Sequence, residues 1–218
     1  MRMGLTTPLV YRFFHEWWNF GKNIYGIIQK PHAKFIDLAK TASLWQTVFI
    51  WFLIFWALLW AGAVKVGVFR NPMFYAIQIS KFYFISLLSF LIICLLIYYL
   101  GRIFRVTKNS FAELKKIIIL WSFSMVPTVV WFMGISFLFF IFPPPRSFSL
   151  QGYTLSALLI GFSTILFYWK LLLYYLTLRI GFKITWKKII TISIVFFPVV
   201  FLYSLILYKA GIFRVPFI

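Results

Sequence analysis

The chain has 218 residues, of which 63% are apolar and 11% charged, and its formal net charge is +19. A soluble domain carries roughly a quarter charged residues, so these apolar stretches exceed what one water-soluble core would bury and call for lipid as their solvent. The acids are Glu16, Asp37 and Glu113, the histidines are His15 and His32, and Cys94 is the single cysteine; a catalytic dyad, a metal cluster or an intrachain disulfide is hard to assemble from them, so neither an enzyme nor a cofactor is expected.

Residues 1–43 form a basic N-terminal segment. Its charges are spaced so that no cleavable leader with a clean apolar run is expected. From 9 to 28 the pattern is helical. Val10, Phe13, Phe14, Trp17, Gly21, Ile24, Tyr25 and Ile28 fall on one face, and Arg12, His15, Glu16, Asn19, Lys22 and Asn23 on the other. Aromatic residues opposite basic ones predict a helix lying in the membrane interface, with Trp17 and Trp18 as candidate lipid contacts. The alternative is a helix packed beneath the bundle. Pro31 breaks the chain before a second short helix.

Five stretches are long and apolar enough to span a bilayer: about 44–64, 82–100, 117–142, 154–178 and 189–208. The expected fold is therefore an all-α membrane protein, a five-span bundle (44–218) preceded by an amphipathic segment (1–43). Lysine and arginine set the orientation. The N-terminal segment and the second and fourth connections carry fifteen of them; the opposite side carries six. This places the N-terminus in the cytoplasm of a cell-membrane protein and the C-terminus outside. Arg102, Arg105, Lys115, Lys116, Lys187 and Lys188 then line the cytoplasmic face as candidate contacts for anionic headgroups, each worth about 1 kcal/mol near the surface. The charge needs no nucleic acid to explain it. Among the outer connections, Pro143-Pro144-Pro145 predicts a short stiff strap.

Three residues inside the spans stand out. Pro127 and Pro198 predict kinks, as static bends or as hinges. Lys170 is the one charge within a span, at a cost of roughly 2.5–3.5 kcal/mol on insertion scales. Its stem either snorkels to the cytoplasmic edge past Trp169, Leu173 and Tyr174, or its ammonium serves a polar cavity or an anionic headgroup. The spans also hint at a parallel repeat of two hairpins. Tyr98-Tyr99, Lys115-Lys116 and Pro127 in one match Tyr174-Tyr175, Lys187-Lys188 and Pro198 in the other, with Cys94 facing Lys170 in the alignment.

This order of features resembles the prokaryotic branch of the Yip (Ypt-interacting) family of five-span proteins. The resemblance rests on Pro31 and Phe35 before the first span, Gly101 closing the second, Phe111 to Leu114 before a third span bearing Pro127, and a last hairpin with Pro198. It implies a cytoplasmic N-terminus and a role in organising membranes or partners, including an accessory role beside an ABC-type exporter. The family's Asp-Leu-Tyr-Gly-Pro motif is absent, which speaks against a small GTPase as partner. The expected function is non-enzymatic binding of membrane lipid or of another membrane protein, as an accessory or scaffold. A small permease or channel using the kinked spans and Lys170 is the alternative, although no acid lies in any span to serve a proton or cation path.

Overall fold

The computed structural model describes residues 9–66, 72–104, 111–142 and 150–210. Arg105 and the triple proline lie outside the described residues. The described chain is all α: α1 (Leu9–Gln29), α2 (Pro31–Thr41), α3 (Leu44–Val66), α4 (Pro72–Ile103), α5 (Phe111–Phe123), α6 (Val126–Ile141), α7 (Leu150–Phe182) and α8 (Trp186–Lys209). Helices α5 and α6 are halves of one interrupted span. Counting them together, five helices are long and apolar enough to cross a membrane: Leu44–Gly62, Ala76–Ile103, Phe111–Ile141, Leu150–Phe182 and Trp186–Lys209. A chain in lipid has no water to satisfy its backbone, and the helix satisfies it internally.

Several helices outrun the apolar stretches. Helix α7 has 33 residues, about 50 Å at 1.5 Å per residue, against a hydrocarbon core of about 30 Å. Its ends therefore project beyond that core, as do those of α4. The apolar pattern marks only the part that lipid must cover, whereas the hydrogen-bond ladder continues into the flanks.

The third span lies at the centre, touching α3, α4 and α7, and α8 packs outside against α4 and α7. Ile117, Leu120 and Phe123 of α5 are fully buried. Cys94, in α4, is sealed in the same core, as expected for a small apolar residue. Between α6 and α7, Gly134 leaves room for the Phe162 ring: a β-carbon there would stand 2.4 Å from Cζ of Phe162. Beside it the Trp131 indole donates to Ser163 Oγ at 3.0 Å.

At the end of the bundle where α3 begins, the two short helices fold back on the spans. Pro31 at the first turn of α2 suits a position whose N–H is unpaired in any helix. Phe35 and Leu38 of α2 are buried against α5 and α7. Helix α1 packs on α2 and α3. Phe20 sits among the rings of Trp17, Phe49 and Phe123. Two polar contacts fix this arrangement. Asn23 Nδ2 donates to Gln46 Oε1 at 2.6 Å in a buried pair, and Ser43 Oγ donates to Glu16 Oε2 at 2.9 Å.

The buried face of α1 differs from the one its periodicity suggests. Phe20, Asn23 and Ile27 are buried, while Phe14, Gly21, Tyr25 and Ile28 are exposed. The apolar sector of α1 is wider than the surface the bundle offers. Only one edge of it is covered, and Asn23 is accepted there because Gln46 satisfies it.

The two hairpins of the proposed repeat also part company. Pro127 coincides with a break between α5 and α6, whereas α8 runs through Pro198. At the break the Met125 amide bonds to Ser122 O at 2.9 Å and the Thr128 amide to Met125 O at 2.9 Å. Ser122 Oγ and Ser124 Oγ donate to the carbonyls of Ile119 and Trp121. These shorter bonds tighten the turn, and Pro127 falls in the first turn of the next helix, where its missing N–H costs little.

Candidate functional site

The break at Ser124–Met125 positions Thr128 to meet α7. There Lys170 Nζ donates to Thr128 Oγ1 at 3.1 Å. The lysine therefore crosses into the bundle and joins the third span, instead of running along α7 to its edge.

Lys170 lines a cavity of about 420 Å³ bounded by all five spans. That lies within the range of small-molecule sites. The walls are mostly aromatic and aliphatic. Trp51 of α3 stands edge-on to Phe90 of α4 at 5.1 Å, and Tyr174 of α7 stacks on Phe196 of α8 at 5.1 Å. Hydroxyls are few. Ser89 pairs with Tyr203 at 2.9 Å, tying α4 to α8, and Tyr174 pairs with Ser193 at 3.0 Å, tying α7 to α8. Toward the outside the cavity is bordered by Phe167 of α7 and by Phe197 and Phe201 of α8, all exposed on the flank of the bundle. Its mouth thus opens sideways, onto the surface a bilayer would cover.

Two tryptophans also border this space with their rings, while their N–H groups are closed off from it. The indole N–H groups of Trp51 and Trp121 are buried and have no hydrogen-bond partner among the described residues. None of the three acids lines the cavity. Lys170 is thus a basic group on a mostly apolar wall with no carboxylate beside it.

The other sequence candidates gather at the end of the bundle that carries α1 and α2. Arg102 closes α4, Lys115 and Lys116 open α5, and Lys187 and Lys188 open α8. Arg102, Lys115, Lys187 and Lys188 are exposed; Lys116 is half-buried. Trp18 is 66% exposed and Trp17 39%. Lys22 Nζ lies 5.2 Å from the centre of the Trp18 ring. Arg179, which the sequence reading did not single out, donates to the Tyr175 hydroxyl at the same end. Pro127 is buried at the break, and Pro198 is exposed on the outer face of α8. So the candidates separate into a basic, aromatic rim and one interior lysine. Thr128, Trp51 and Trp121 went unnoticed in the sequence, because a threonine or tryptophan in an apolar span carries no local mark of what it faces.

Among the described residues no group of three or more histidine, cysteine or carboxylate side chains could hold a metal ion. No family model, curated protein or solved structure matches the chain. With five long apolar helices among its described residues, the chain is a multi-span α-helical membrane protein.

Proposed function

We propose that this is a non-enzymatic integral membrane protein that binds lipid, anchoring its N-terminal helix in the headgroup layer of an anionic leaflet. The observation that carries this reading is the uncovered aromatic sector of α1. Tyr11, Phe14, Trp18, Tyr25 and Ile28 are between 57% and 66% exposed although the bundle stands beside them. A face of that kind beside lysines is stable in the boundary between headgroups and acyl chains. With the N-terminus in the cytoplasm, the rim lysines meet anionic headgroups. The Yip-like order of features supports a role in organising membrane or partners, and another membrane protein, such as an ABC-type exporter, is a partner of the same reading. The lateral cavity favours a second reading as a permease for an amphiphile, entered from lipid instead of from water.

The test is full-length protein in nanodiscs of mixed phosphatidylcholine and phosphatidylglycerol, with a spin label at position 18. The label should be shielded from a water-soluble relaxation agent and accessible to oxygen. Native mass spectrometry should find phosphatidylglycerol retained out of proportion to its share of the bilayer. Replacing Lys115, Lys116, Lys187 and Lys188 with glutamine should cancel that enrichment. A water-exposed label together with unbiased lipid retention would overturn the reading.

A further inference from the structure

We propose that the intramembrane cavity is a binding site for a single-chain amphiphile with one anionic head, whose oxygens accept from the Lys170 ammonium. This site is separate from the α1 surface and from the basic rim.

Four observations converge on it. First, Lys170 lies nine residues from Arg179, the basic residue of the last turn of α7, about 13 Å along the helix axis. That is too deep for the headgroup layer, and a bare ammonium there is costly. Among the described residues it bonds the neutral Thr128 hydroxyl, which leaves the charge uncompensated. Second, neither Glu16, Asp37 nor Glu113 lines the cavity, so no carboxylate on its wall offsets that charge. Third, 420 Å³ is many times the roughly 10–15 Å³ that admits one water. Walls of Ile54, Leu58, Phe90, Ile93 and Phe132 offer water almost nothing, whereas a hydrocarbon chain fits them. Fourth, the mouth at Phe167, Phe197 and Phe201 faces the lipid side, so a ligand dissolved in the bilayer enters without crossing water.

Charge fixes the class. A cationic or zwitterionic head would set a second cation beside Lys170. A neutral alcohol would leave the charge unmet. A carboxylate or a phosphate monoester on one alkyl chain meets the ammonium, and charge-assisted bonds of this type are roughly twice as strong as neutral ones.

The test uses the full chain in phosphatidylcholine nanodiscs, titrated separately with hexadecanoate, hexadecyl phosphate, hexadecanol and hexadecyltrimethylammonium. Bound copies are counted by native mass spectrometry. One copy of an anion should bind per chain, at least about tenfold more tightly than the alcohol, and the cation should not bind. The stronger of the two anions names the head as carboxylate or phosphate. Lys170→Met should abolish the preference for anions and Lys170→Arg should keep it. Thermal melting checks folding. Lys170→Met should melt no lower than wild type in the absence of ligand, because it removes an uncompensated buried charge. Should that variant not fold, the selectivity of the wild-type protein and of Lys170→Arg decides the matter. Hexadecanol binding as tightly as the anions, or a Lys170→Met protein that keeps the preference, would overturn the proposal. The four-lysine glutamine variant should bind the anion as the wild type does, so failure at the rim and failure at the cavity are told apart.

Discussion

Lys183 holds φ at 54° in the turn between α7 and α8. The left-handed region costs a residue with a β-carbon roughly 1–2 kcal/mol, and glycine is the usual choice just past a helix end. The position instead keeps a cation next to the last turn of α7, where the helix dipole and the basic rim both place positive charge. Lys183→Gly should therefore raise stability by about 1 kcal/mol in a detergent melt, and should weaken retention of anionic lipid slightly. A fall in melting temperature would show that the lysine side chain holds the turn. Other residues owe their environment to distant partners. Asn23 reads as a solvent-facing position in its own helix, and Gln46, 23 residues away, is what lets it be buried. Lys170 was legible as an anomaly from sequence, since a charge in an apolar span has few neutral explanations. Its partner Thr128 lies 42 residues earlier, and no local pattern links the two.

At the level of the element, one motif has two outcomes. Pro127 and Pro198 lie at matching places in similar hairpins, yet only the first accompanies a break. Ser122 and Ser124 supply the difference. Their hydroxyls bond carbonyls of the preceding turn, and the Met125 amide closes a shorter loop. Pro127→Ala should then leave the break in place and lower stability by about 0.4–1 kcal/mol, through the freer unfolded chain. Pro198→Ala should act in the opposite direction by about 1 kcal/mol, since it restores the N–H that the Ile194 carbonyl lacks and relieves a clash in mid-helix. Chemical denaturation of the two variants side by side checks the sign. The amphipathic nature of α1 was plain in its sequence. Which edge of its apolar sector meets the bundle was not, because α3 fixes that choice through Phe49 and Gln46.

For the molecule as a whole, the five spans were the most legible feature, because lipid demands some twenty consecutive apolar residues and few other environments do. Their lateral arrangement was not legible, since helices apolar on every side give no stripe that says which neighbour they face. The uneven distribution of lysine and arginine, fifteen against six, leads to an orientation test. Reporter fusions after residues 104 and 183 should remain on the cytoplasmic side, and fusions after 142 and 210 should reach the outside. The reverse pattern would remove the basis for pairing the rim lysines with a cytoplasmic leaflet.

Cys94 is 1% exposed and closed in behind α4. The native chain is thus nearly silent toward maleimides, which need to reach a thiolate. Any cysteine introduced at the surface becomes, in effect, the only reactive thiol on the folded protein. Site-directed labels can therefore report on the wild-type background, with the α4 core undisturbed by a prior Cys94 replacement.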